Sequence, residues 1–260
     1  MKFPFQKYQG TGNDFVIIKA SDLTRPLSVK EIQAICARSF GVGSDGLMII
    51  GPSETADYHL DFYNPDGSQS FCGNGARCSV SFFYKEMMAK SKVQFVALDG
   101  LHSGAFDEES PSVSVHPPHS EQVLPEGFYC HTGSPHWMIK VKDLQTMDVL
   151  TEGRRFRYDD RFSPSGTNVN FLEKIEGQWN MRTYERGVEN ETLSCGTGAT
   201  AAGLYLMRDL VQGWNQVDLK APGGWLSVVA EKTGPFQFKS VYLKGSVKHV
   251  FNGVWQTLEE

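Results

Sequence analysis

One phrase occurs twice in this chain, and it limits the available folds more than any other feature. Cys72-Gly73-Asn74-Gly75-Ala76 returns later as Cys195-Gly196-Thr197-Gly198-Ala199. Each copy follows residues with strand character, Phe62-Tyr63-Asn64 in one case and Thr183-Tyr184 in the other. Each then opens a run of helical composition. A second pair of phrases agrees: Thr11-Gly12-Asn13-Asp14-Phe15 with Ile18-Lys19 parallels Thr132-Gly133-Ser134-Pro135-His136 with Ile139-Lys140. Both pairs keep the same order at nearly the same spacing, roughly 120 residues. A repeat of that period implies two similar halves, each mixing several strands with one long helix. The expected packing is a mostly antiparallel sheet wrapped on that helix.

The repeated phrase also places chemistry. A cysteine at a helix mouth meets unsatisfied N–H groups and the positive end of the helix dipole, which favour a thiolate. The glycines allow close approach of a ligand, and the first amides of each helix form a seat for a carboxylate or phosphate. Two matched halves with one such cysteine each suggest two thiols facing one carbon, one removing a proton and the other returning it. That arrangement inverts a stereocentre. Hydrolysis has no need of it.

Composition narrows the class. The chain has 260 residues, 40% hydrophobic and 21% charged, which suits two modest soluble domains. A formal net charge of −5 gives no reason to expect nucleic acid. No apolar run is long enough to span a bilayer, and Met1–Phe5 does not begin a signal peptide. Five cysteines without a secretory signal point to free thiols in a reducing cytoplasm.

Along the chain, strands are expected at 2–9 and 15–20, and Ser28-Val29-Lys30-Glu31 reads as a capping box opening a helix to about Ser39. Further strands are expected at 57–64, 92–98 and 112–115, with a helix over 73–90. His116-Pro117-Pro118-His119-Ser120 interrupts both periods and marks the boundary. The expected domains are 1–117, joined by a returning tail at 247–260, and 118–246. In the second half, strands are expected at 128–132, 136–141, 168–175 and 179–184, with a helix over 143–152. The tail alternates through 216–220, 226–231, 236–243 and 247–251.

Other readings compete. Cys36, Cys78 and Cys130 fall inside regular elements and read as packed side chains. A zinc site lacks the Cys-x-x-Cys spacing, so no metal is expected. A phosphate loop lacks its Gly-Lys-Ser/Thr ending. A cysteine hydrolase using Cys195 and His136 is a rival, but leaves the second cysteine unexplained. A binding module with two anion-seating helix mouths is a further alternative. Glu185-Arg186 reads either as a solvated pair or as a clamp, with Arg186 gripping a carboxylate and Glu185 an ammonium.

At these residues the chain resembles the diaminopimelate epimerase family. The resemblance runs from Gly10-Thr11-Gly12-Asn13-Asp14-Phe15 to Val250-Phe251-Asn252-Gly253. It is strongest in Asn64-Pro65-Asp66-Gly67-Ser68 with Cys72–Cys78, and in Tyr184-Glu185-Arg186-Gly187 with Glu191–Ala199. Proline racemases share the two-cysteine layout, but typically carry His where this chain has Asn74. The resemblance implies an α/β fold of the α+β type. Two pseudo-symmetric domains would each wrap a curved, mostly antiparallel sheet around a long central helix. It implies a homodimer without pyridoxal phosphate or metal, interconverting LL- and meso-diaminopimelate for lysine and peptidoglycan precursors. Racemisation of another amino acid is the alternative within this chemistry. By the same resemblance Cys72 and Cys195 are the bases, tuned by His136 and Glu185. Gly73, Asn74, Gly196 and Thr197 seat the reacting carboxylate. Asn13, Asn64, Asn168, Glu185 and Arg186 hold the substrate. The chain departs from the pattern at Ser134, where many members have Asn, and at Gly46, where some have Gln. The loop from Asn64 to Cys72 is one residue short, and Gly245-Ser246-Val247 replaces Gly-Pro-Ala.

Overall fold

A computed structural model describes residues 1–118, 120–124 and 126–257. His119 of the expected boundary and residues 258–260 of the expected tail lie outside the described residues. In chain order the elements begin with β1 (Lys2–Gly10), β2 (Asn13–Lys19), α1 (Val29–Cys36), β3 (Gly46–Gly51), β4 (Tyr58–Tyr63) and α2 (Gly73–Glu86). Next come β5 (Lys92–Ala97), β6 (Gly100–Ala105), β7 (Ser112–Val115), β8 (Glu121–Leu124), β9 (Gly127–His131) and β10 (Pro135–Lys140). Then follow α3 (Val149–Arg157), β11 (Asn168–Ile175), β12 (Gln178–Glu185), β13 (Asn190–Thr192) and α4 (Gly196–Met207). The chain closes with β14 (Gly213–Ala221), β15 (Gly224–Gly234), β16 (Gln237–Gly245) and β17 (Val247–Gln256).

The chain divides into two compact units, Met1–Val113 with Ser246–Glu260, and Ser114–Gly245. In the first, neighbouring strands run β17-β1-β2-β3-β4-β5-β6-β7. In the second they run β8-β9-β10-β11-β12-β14-β15-β16. Among the described residues both series show the same succession of pairings. It is antiparallel twice, parallel, antiparallel, parallel, then antiparallel twice. The long-period repeat in the sequence is therefore a repeat of topology.

A helix occupies the core of each unit. In α2 every residue from Gly73 to Phe83 is buried, and α4 is buried over nearly its whole length. A helix buried on all sides needs small or apolar side chains around its circumference, and the alanines and glycines of α4 meet that need. The first helix packs on β1, β2, β3, β4, β6 and β17, the second on β9, β10, β11, β14, β15 and β16. A sheet touching one helix along so many strands must curve around it. Gly203 shows how close the approach is: a Cβ there would lie 2.5 Å from Val228 Cβ. Around each helix the inward residues of the strands complete the core, including Phe15, Tyr58 and Phe95 in one unit and Leu219, Leu226 and Val228 in the other. Full burial of a large apolar side chain stabilises by roughly 1.5–3 kcal/mol.

Three local expectations need correction. Helix α1 has its capping box, with the Ser28 hydroxyl accepting from Glu31 N–H and the Glu31 carboxylate accepting from Ser28 N–H. It ends at Cys36, not Ser39, because the chain folds back on the helix end: Gly43 N–H and Ser44 N–H reach the carbonyls of Ile35 and Cys36. The helix expected over 143–152 starts later, at Val149 with Asp148 as its cap. The Glu173 carboxylate accepts from the N–H groups of Asp143 and Leu144, and that holds the preceding segment in turns. Residues 87–90, expected to continue α2, are not helical; Met87 and Met88 instead fold back to the Phe83 carbonyl.

Candidate active site

In the first unit, β4 leads into the turn Asn64–Ser68, where Asn64 N–H bonds Ser68 C=O at 2.8 Å and Gly67 takes φ +88°. The Asn64 side chain stays within this turn, donating to Ser68 Oγ at 3.0 Å and accepting from Ser70 Oγ at 3.3 Å. Cys72 then caps α2 with φ −127° and ψ 111°, its sulfur accepting from Gly75 N–H at 3.5 Å. The first intrahelical bond is Ala76 N–H to Cys72 C=O at 2.8 Å, so the amides of Gly73 and Asn74 lie ahead of the helical ladder.

A buried polar network backs this mouth. Arg77 is fully buried and donates to Asn74 Oδ1 at 2.8 Å and Thr11 Oγ1 at 2.9 Å. Burial holds its guanidinium down at about 10, which still leaves it charged at neutral pH. Asn74 Nδ2 donates to Asn13 Oδ1 at 3.2 Å, and Asn13 Nδ2 donates to Asp45 Oδ2 at 2.7 Å. Asn13 thus turns its oxygen toward Cys72, whose sulfur lies 3.8 Å away as donor. Gly46 belongs to the same wall. A Cβ there would come within 2.6 Å of the Phe62 ring, which explains why this chain has glycine at that position.

The second unit repeats the construction. Strand β12 ends at Glu185, the chain turns through Arg186–Glu189, and Glu189 N–H bonds Glu185 C=O at 2.8 Å. Cys195 caps α4 with φ −122° and ψ 112°, and Ala199 N–H bonds Cys195 C=O at 2.8 Å. The two cysteine caps agree within a few degrees, and Gly196 and Thr197 hold the places of Gly73 and Asn74.

Side chains around Cys195 differ from those around Cys72. The Thr197 hydroxyl lies 3.5 Å from Cys195 Sγ and 2.9 Å from His136 Nε2, and Asn170 Nδ2 lies 3.1 Å from His136 Nδ1. Burial, with smaller effects from His131 and Arg186, holds the His136 imidazole down at about 3, so it is neutral at working pH. Both ring nitrogens are engaged, and Thr197 stands between the ring and the cysteine. The direct Cys195–His136 couple of a hydrolase is not what this geometry provides.

Asn168 is buried and heavily committed. Its Nδ2 donates to Ser134 Oγ at 2.9 Å and Pro135 C=O at 2.7 Å, while its Oδ1 accepts from Arg186 N–H at 2.9 Å. Ser134 is therefore reached by a neighbouring asparagine. Glu185 accepts from the Thr192 hydroxyl at 2.9 Å. The Arg186 guanidinium lies 3.5 Å from Ser165 C=O and faces a cavity of about 430 Å³ shared with Arg161, His131, Tyr129 and Ser163. Asp159 holds Arg161 at 2.8 Å, whereas the Arg186 guanidinium meets the Ser165 carbonyl in this wall.

Asn13 and Asn74 thus meet Cys72 in one unit, while His136 and Thr197 gather at Cys195 in the other. Cys36, Cys78 and Cys130 are buried within elements, and burial pushes all three thiols up. Sequence reasoning overlooked Arg77, Asp45 and Asn170. A signal for Asn170 existed: it lies two residues beyond Asn168 on a strand, hence on the same face.

No helix among the described residues is long and apolar enough to cross a membrane. The family model for diaminopimelate epimerase matches residues 5–116 and 128–250. A diaminopimelate epimerase of Flavobacterium psychrophilum is 39% identical, covering 94% of this chain and 97% of its own. One of Aquifex aeolicus is 37% identical, covering 96% of each chain. Among solved structures, a PhzF-family phenazine biosynthesis protein of Bacillus anthracis superposes with TM-score 0.80 at 14% identity, over 99% of this chain and 100% of its own. A hydroxyproline epimerase of Agrobacterium vitis does so with TM-score 0.71 at 13% identity, over 97% of this chain and 92% of its own. These two share the fold. The sequence matches, running nearly end to end through both cysteine motifs, make this chain a member of the diaminopimelate epimerase family.

Proposed function

We propose that the protein is a cofactor-independent epimerase that interconverts LL- and meso-diaminopimelate, with Cys72 and Cys195 as its two bases. The observation that carries this reading is the pair of cysteine caps. They have matching backbone angles, matching first helical bonds and matching places in two units of identical strand pairing. One thiolate removes the α-proton while the other thiol supplies a proton to the opposite face. The α-proton of an amino acid is very weakly acidic, so the developing negative charge on the carboxylate needs stabilisation. Amides of Gly73, Asn74, Gly196 and Thr197 supply it as preorganised donors. The two thiols titrate as a coupled pair.

Arg186 then meets the distal carboxylate of the substrate and Glu185 the distal ammonium. The cavity beside Arg186 supports this assignment. Asn13 and Asn64 complete the contacts, and Asn168 sets the position of Arg186. His136 acts as a neutral donor through Thr197, in keeping with its burial. Five free cysteines suit a reducing cytoplasm. The exposed Val250 and Val254 of β17 suit a homodimer.

The test is incubation of the protein with LL-diaminopimelate in D2O, without pyridoxal phosphate or metal. The expected result is meso product with deuterium at one α-carbon. Release of product without solvent deuterium, or binding without turnover, would refute the assignment. Epimerisation of another amino acid with higher kcat/KM would move the protein to a neighbouring activity.

A further inference from the structure

We infer that Asn170 is a positioning residue for Cys195: it fixes the tautomer of His136 and so aims the Thr197 proton at the cysteine sulfur. The inference rests on Cys195 serving as a base in the proposed reaction. Four side chains form the line, all in one unit and all within hydrogen-bond reach of the next.

The orientation of the Asn170 amide comes first. Its Nδ2 lies 3.1 Å from His136 Nδ1 and 3.4 Å from the carbonyl of Trp137, and its Oδ1 lies 3.0 Å from the Thr183 hydroxyl. Turned over, the amide would put its oxygen against the Trp137 carbonyl, two acceptors facing each other in a buried place. The nitrogen must therefore face His136, and Nδ1 must accept.

A neutral imidazole that accepts at Nδ1 carries its proton on Nε2. That proton goes to the Thr197 hydroxyl, 2.9 Å away. A hydroxyl that has accepted there is free to turn its own hydrogen to Cys195 Sγ, 3.5 Å away. A donor at sulfur favours the thiolate. The opposite tautomer reverses the outcome with the same atoms. Thr197 would direct its proton to Nε2 and could only accept from the cysteine, which would favour the thiol.

Packing holds the line in place. His136 and Asn170 are both fully buried, on the paired parallel strands β10 and β11. The groups acting on His136, His131 and Arg186, both disfavour its protonation. Thr132 Oγ1 donates to Thr197 C=O at 2.8 Å, fixing the helix mouth. Gly198 lets that mouth seat on Asn170, since a Cβ there would lie 2.5 Å from Asn170 Oδ1. In the repeated phrase Phe15 stands where the second unit has His136, and an amide oxygen, Asn13 Oδ1, faces the Cys72 sulfur. Asn170 therefore acts directly on Cys195.

The test reads the thiol and the ring separately. Long-range proton–nitrogen NMR of the histidine-labelled protein should show His136 with its proton on Nε2; a proton on Nδ1 overturns the inference without any variant. In Asn170→Leu, the pH midpoint for alkylation of Cys195 by iodoacetamide should rise by about one unit, roughly a tenfold loss of reactivity near neutrality. Cys72, followed in the same peptide digest, should not rise with it, since the midpoint of a coupled partner holds or falls as Cys195 keeps its proton, and kcat should fall with little change in KM. Thr197→Val, nearly isosteric, should shift Cys195 similarly while leaving the His136 tautomer intact. A Cys195 midpoint that stays put, or moves only in step with Cys72, overturns the inference. Alkylation is read without substrate, so a protein that failed to epimerise diaminopimelate would still give an answer about Asn170.

Discussion

Replacing Asn168 by leucine separates two roles that the sequence cannot distinguish. As a substrate ligand, Asn168 would affect turnover and leave the fold alone. The structure gives its amide three protein partners: Ser134 Oγ at 2.9 Å, Pro135 C=O at 2.7 Å and Arg186 N–H at 2.9 Å. Leucine has nearly the same volume and no polar atom, so all three bonds go. Each neutral bond contributes about 1 kcal/mol, and a buried group left without a partner costs about 1–3 kcal/mol. The Ser134 hydroxyl can rotate toward another partner, whereas the Pro135 carbonyl and the Arg186 amide cannot. The expected destabilisation is therefore roughly 2–4 kcal/mol. At about 2–4 °C per kcal/mol for a chain of this size, Tm should fall by roughly 4–16 °C. Arg186 loses its backbone anchor as well, so kcat/KM for LL-diaminopimelate should drop in the material that remains folded. Differential scanning calorimetry and steady-state kinetics on one preparation check both. A Tm within 1 °C or so of wild type, together with a large loss of kcat/KM, would show that the amide serves the substrate and refute this reasoning.

Three further outcomes are expected. Cys72→Ala and Cys195→Ala should each abolish deuterium exchange and epimerisation while leaving Tm close to wild type, and full activity in either would exclude a two-base mechanism. Arg186→Lys keeps the charge but loses the planar two-point grip; a charged hydrogen bond of about 1.5–3 kcal/mol predicts about a tenfold to hundredfold loss in kcat/KM, and unchanged kinetics would remove Arg186 from the site. Acid stability should depend on Glu31 and Asp14. The Arg25 hydrogen bond is the main cause holding the Glu31 carboxyl down at about 2, and Asp14 is also held at about 2 because Arg38 and Lys7 outweigh the opposing effect of burial. Both are depressed in the fold, so their stabilisation is complete above the ordinary carboxylate range and is lost as pH falls toward 2. The Tm gap between wild type and Glu31→Gln or Asp14→Asn should shrink between pH 5 and pH 3, and a gap independent of pH would contradict the assignment.

Much of this protein is local, and the sequence alone determined that part. The two cysteine caps were legible because a helix start needs few residues, and Cys-Gly-X-Gly-Ala supplies them in one run. The capping box at Ser28 and the turn at Asn64–Ser68 were legible for the same reason: their bonds close within a few residues. The division into similar halves followed from phrases repeated in order. Tertiary structure decided what depends on strand neighbours. The strand at Gly100–Ala105 went unread because it carries little apolar alternation and is held by its pairing with β5. The late start of α3 depends on Glu173, which lies on β11 and bonds back to Asp143 and Leu144. Asn170 reaches His136 only because β10 and β11 pair in parallel at a fixed register, a long-range choice that no local pattern encodes. Arg77 went unread because only burial joins it to Thr11 and Asn74. Helix caps and turns are settled by short-range bonds written in consecutive residues. The tautomer of a histidine and the partners of a buried guanidinium are settled by residues distant in sequence, brought together only once the sheet has closed around its helix.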